Sequence, residues 1–176
     1  MQQYAGYVDQ PGLQQALGSA GVACWWEAGG FYVSDLAKAQ SVVAAYNPMP
    51  AIQQGALATV AATLAAKLAA GLAIGSNVIA IDAAAQTEIA ALAILALATI
   101  NGTATTPWPT GRTWPVVSGT PIPLTTPQDL ITVGAPAAHY VWSLKNYANE
   151  LGAQIMAATT SAAVQAINLT SGWPTS

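Results

Sequence analysis

Between Gly71 and Ile100 the chain changes its hydrophobic rhythm twice. Gly71-Leu72-Ala73-Ile74 and Val78-Ile79-Ala80-Ile81 are short apolar runs of β type on either side of Gly75-Ser76-Asn77, and that pattern predicts a hairpin. Asp82 follows, placed so that its carboxylate accepts from the free amides of a helix's first turn. The helix it opens runs to Ile100. At about 100° per residue, Ile89, Leu92, Ile94, Leu95, Leu97 and Ile100 point in nearly every direction. A helix apolar all round is expected to be buried on most sides. On that reading Leu95→Lys unfolds the protomer, at a cost of several kcal/mol.

The same reading extends in both directions. Residues 1–47 form a small α-β-β-α unit: Asp9 caps a short helix carrying Leu13 and Leu17, and Gly18 or Gly21 closes it. Val22 to Glu27 and Phe31-Tyr32-Val33 flank Ala28-Gly29-Gly30 as a hairpin, and Ser34 caps a second helix that stops before Asn47-Pro48. Residues 48–70 are a connecting or oligomerising helix with Leu57, Val60, Leu64 and Leu68 on one stripe and small residues elsewhere. Residues 71–176 form a C-terminal α+β domain. Within it, Gly111 to Val117 and Thr120 to Leu124 bracket Ser118-Gly119 as a second hairpin. Thr126-Pro127-Gln128-Asp129 starts a long helix with Val141, Leu144, Leu151 and Ile155 on one stripe, which Pro136 is expected to break or kink. A short helix near Ala162 to Ile167 and a Trp173 packed back on the body complete a mostly helical α+β fold with two β-hairpins and buried helices.

Composition sharpens this picture. Only 6% of the 176 residues are charged, against roughly 25% in ordinary soluble domains. The surface must therefore be wetted by Thr, Ser, Gln and Asn or covered by neighbouring subunits, which points to a homo-oligomer. The net charge of -3 and four scattered basic residues, Lys38, Lys67, Arg112 and Lys145, leave no patch able to neutralise several phosphates, so no nucleic acid is expected as a partner. The longest apolar run, Ile89 to Ala98, is about half of what a bilayer crossing needs, and no membrane span is expected. Met1-Gln2-Gln3-Tyr4 lacks a basic region leading into an apolar core, so synthesis in the cytoplasm without a signal peptide is expected. The single cysteine, Cys24, excludes an internal disulfide.

No catalytic constellation emerges. His139 is the only histidine, and neither it nor Cys24 sits at ligand-like spacing to other metal-binding residues. The nucleophile elbow of a hydrolase is absent. Asp9, Glu27, Asp35, Asp82, Glu88, Asp129 and Glu150 are dispersed, with Asp9, Asp82 and Asp129 placed as helix caps. Gly18-Ser19-Ala20-Gly21 has the glycines of a phosphate loop without its Lys or its following helix. The six tryptophans, Trp25, Trp26, Trp108, Trp114, Trp142 and Trp173, would make a sugar-binding platform only if several were exposed. No catalytic, cofactor-binding or metal-binding residue is assigned, no cofactor is expected, and the chain reads as a non-enzyme.

Four motifs in order carry a resemblance. They are Ile81-Asp82-Ala83-Ala84-Ala85-Gln86, Pro107-Trp108-Pro109-x-Gly111-x-x-Trp114, Pro121-Ile122-Pro123-Leu124 before a long helix, and an Ala-Thr-Thr run leading to Gly172-Trp173-Pro174. From Pro48 to Pro174 the chain resembles a domain of unknown function common in bacteriophage tail and tail-fibre proteins, and Trp25 to Pro48 is similar to a short module that often precedes it. The resemblance implies a virion structural component in the baseplate, tail tip or fibre attachment region. Its partners would be other phage tail proteins and copies of itself, as a trimer. A tail-fibre assembly chaperone and a receptor- or glycan-binding module are the alternatives.

Overall fold

A computed structural model describes residues 10–27 and 30–175. The chain is mostly helical with small sheets, the α+β class that the pattern predicts. The expected cap Asp9 and the turn residues Ala28 and Gly29 lie outside the described residues.

Two compact units are present, Met1–Ala58 with Gln154–Ile167, and Thr59–Ala153 with Asn168–Ser176. In the first, α1 (Gln10–Ser19), β1 (Cys24–Glu27), β2 (Gly30–Val33) and α2 (Leu36–Ala45) follow the expected order, with Cys24 paired to Val33 and Trp25 to Tyr32. Leu13, Leu17, Val22 and Ala39 form the core, with Cys24, Val42 and Tyr46 packed at its edge. Asp35, not Ser34, caps α2: its carboxylate accepts from Lys38 N at 3.0 Å, while the Ser34 hydroxyl accepts from Ala23 N at 3.0 Å and ties the hairpin's two ends together. An aspartate one residue nearer the helix captures the first-turn amide, which frees the serine for this cross-strand bond. α3 (Met49–Ala70) begins in this unit. There Gln53 Nε2 donates to the carbonyls of Ile155 at 3.1 Å and Ala158 at 3.2 Å, groups that the end of a helix leaves without intrahelical partners.

The second unit opens with the predicted hairpin, β3 (Leu72–Ile74) against β4 (Asn77–Ile79). Gly71 leads into it at φ +83, and a Cβ there would lie 2.5 Å from Ile79 O, so only glycine fits. The second expected hairpin is split. β5 (Thr113–Trp114) pairs with β7 (Ile122–Pro123), whereas β6 (Val116–Ser118), lying between them in sequence, joins β4 to make the three-stranded sheet β3-β4-β6. Pro121 and Pro123 lack the N–H groups that a longer β6–β7 ladder would use, so β6 pairs with the free edge of β4 instead.

α4 (Ala83–Ile100) is capped as expected, Asp82 Oδ1 accepting from Ala85 N at 2.9 Å. α5 (Pro127–Ala157) starts with the predicted reciprocal box: Thr126 N donates to Asp129 Oδ2 at 2.7 Å, and Asp129 N donates to Thr126 Oγ1 at 3.3 Å. Of the expected break or kink, the break does not occur: α5 is one helix through Pro136. Pro136 and Thr132, whose carbonyl loses its helical donor, are both exposed, so the vacated acceptor faces solvent and the helix continues. Along α5, Leu130, Val133, Ala137, Val141, Leu144 and Leu151 are buried in this unit and Ile155 in the first, which includes all four residues of the predicted stripe. α6 (Ser161–Gln165) is capped by Thr160. Trp173 is buried against Tyr147, ring edge to face at 5.2 Å, as the sequence suggests.

α4 departs from expectation. Its buried residues are Ala85 and Ala96, while Ile94 is 74% exposed, Leu97 53% and Ile100 50%. Leu95 is half-buried. Among the described residues the apolar helix is covered on one side only.

Candidate functional site

The exposed part of α4 borders an apolar groove of about 520 Å³ in the second unit. One wall is the first half of α4, with Ala85, Ile89 and Ala93 facing in; the other is α5, with Gly134, Ala138 and Trp142. Small residues, Ala85 and Ala93 on α4 and Gly134 and Ala138 on α5, leave space open between the larger Ile89, Val141 and Trp142. The floor is Trp114. Its ring is buried, its Nε1 donates to Ala80 O at 3.1 Å, and a Cβ on Gly134 would lie 3.6 Å from the ring.

The groove carries little polar chemistry. Gln86 donates to Ile81 O at 2.6 Å and accepts from Lys145 Nζ at 3.1 Å, so the amide ties the segment between β4 and α4 to α5. His139 is not among the lining residues; it is exposed one turn before Trp142, their rings 6.2 Å apart. A surface of this kind takes up aliphatic side chains, and Lys145 is the ionisable group among its lining residues.

The remaining candidates are dispersed in structural roles. Cys24 is half-buried in the first unit's core. Among the described residues no group of three His, Cys, Asp or Glu side chains is placed to hold a metal. Asp35, Asp82 and Asp129 cap helices. Glu88 pairs with Arg112 at 3.1 Å with both side chains half exposed, and Glu150 accepts from Asn146 at 2.6 Å. The side chain of Glu27 lies outside the described residues. Of the tryptophans, Trp108, Trp114 and Trp173 each donate Nε1 to a backbone carbonyl, of Leu124, Ala80 and Leu169. These indoles serve the fold. Trp25 stacks on Tyr32 in the first unit while 45% exposed, and Trp142 is 63% exposed on the second.

Sequence reasoning missed the groove and the open side of α4. A signal was present: Gln86, Ala90, Ala93, Leu97 and Ile100 follow one another in alternating steps of four and three, the seam spacing of paired helices. α4 also has the length and hydropathy of a membrane span, a mean of 1.7 over its 18 residues.

Residues 51–168 match the family model of a domain of unknown function (DUF4376). No curated protein and no solved structure matches the chain.

Proposed function

We propose that this chain, which belongs to the DUF4376 family, is a non-enzymatic structural component of a bacteriophage tail. It would be made in the host cytoplasm and built into the baseplate, tail tip or fibre attachment region, contacting other tail proteins and copies of itself. One observation carries the assembly reading: α4 leaves Ile94, Leu97 and Ile100 in solvent beside an apolar groove. Exposed apolar patches of that kind mark protein interaction sites, and a chain with so few charges has little else to keep such a face from association.

The tail assignment is supported by the order of the motifs quoted above, whose residues set local structure. Asp82 caps α4, Trp108 is bonded to Leu124 O, Trp114 floors the groove and Trp173 packs on Tyr147. A motif set that fixes scaffold and not reactive groups fits a part whose role is shape. Mass spectrometry of purified particles tests the assignment. Stoichiometric presence is expected; a protein abundant in infected cells and missing from finished particles would instead be an assembly chaperone.

A further inference from the structure

We infer that the groove and the open side of α4 together form a two-fold, antiparallel contact that receives a second copy of this chain. The inference deepens the assembly reading and rests on it. At about 100° per residue, Gln86, Ala90, Ala93, Leu97 and Ile100 share one side of α4, next to the side that buries Ala85 and Ala96. The seam is graded. Its first half is small and borders the groove, and its second half ends in Leu97 and Ile100, both half exposed.

A copy of α4 running antiparallel, with Ala93 on the two-fold axis, sets Leu97 beside the partner's Ala90 and Ile100 beside the partner's Gln86. The large residues of each chain then enter the small-walled groove of the other. Such a contact is isologous and closes on itself. A parallel pairing, in a dimer or about the three-fold axis of a trimer, would stack Leu97 on Leu97 and Ala90 on Ala90 and leave the grooves unfilled. Leu97, Ile100, the exposed Trp142 ring and the groove walls offer on the order of 600 Å² per chain, a large aromatic alone carrying roughly 200 Å². Two copies thus bury roughly 1,200 Å², at the lower end of specific interfaces, which suits a reversible dimer.

A bilayer is a poorer occupant. The Glu88–Arg112 ion pair stands in the second turn of α4, and Ala85 and Ala96 are already covered by the helix's own chain.

Sedimentation equilibrium of the full chain over a concentration series tests the contact. A monomer–dimer equilibrium is expected. Leu97→Glu, with unchanged circular dichroism, should weaken it by at least about a hundredfold. Ala93→Arg, which brings two like charges together on the axis, should do the same should Leu97→Glu fail to fold. In a Cys24→Ser background, Ala93→Cys is expected to cross-link to itself through a short bifunctional thiol reagent, and Ala90→Cys alone is not. A trimer, a monomer at every concentration, or efficient Ala90→Cys cross-linking overturns the inference. So does a monomer that co-sediments with phosphatidylcholine vesicles, which would give α4 to a membrane. A monomer that is still found in purified particles overturns this contact and leaves the tail assignment standing. A dimer absent from particles overturns the assignment alone.

Discussion

α4 and α5 border the same groove and were built on opposite plans. α5 alternates a buried stripe, Leu130 through Leu151, with an exposed polar side that includes Gln128, Thr132 and Lys145. α4 has almost no polar side, yet buries only Ala85 and Ala96. Apolar content measures how much transfer free energy is available; asymmetry decides where a helix docks. A helix lacking asymmetry gives its own chain no reason to wrap it, and here one side is covered while Ile94, Leu97 and Ile100 stay exposed.

The contrast can be broken at graded positions. Leu144 is fully buried on α5, and Leu144→Ala should lower the unfolding free energy by about 3 kcal/mol in denaturant titrations. Leu95→Lys on the half-buried side of α4 should cost about 1 to 2 kcal/mol, with a cooperative transition retained. A loss as large as that of Leu144→Ala would restore α4 to the core. Asp82→Ala and Thr126→Ala remove the caps of the two helices and should each cost about 1 kcal/mol, since capping is local and indifferent to what the helix buries later. Unequal losses would show that one helix is held mainly by its ends. Arg112→Ala opens a half-exposed ion pair on α4 and should shift stability by less than about 0.5 kcal/mol.

Local chemistry was legible in the sequence. The Asp82 cap, the Thr126–Asp129 box, the Gly75-Ser76 turn and the α5 stripe each depend on residues within a few positions of one another, and each stands where it was predicted. Ser34 was displaced by its neighbour Asp35 because two adjacent residues had equal claim to the cap. Long-range choices were hidden. Nothing near Val116 to Ser118 announces that β6 pairs with β4, 37 positions from Val116 back to Ile79, and nothing near Gly134 announces that the Trp114 ring packs beside it. The open side of α4 was hidden for another reason: the residues that would bury a helix and those that would recruit a partner are the same residue types.

Whether α4 serves the fold or the assembly is settled most directly by one variant. Leu97→Glu should melt within a few degrees of the unaltered protein, because Leu97 is 53% exposed, and should fail to enter particles when supplied in place of it. A Leu97→Glu chain that unfolds, or one that folds and is incorporated normally, would contradict the account.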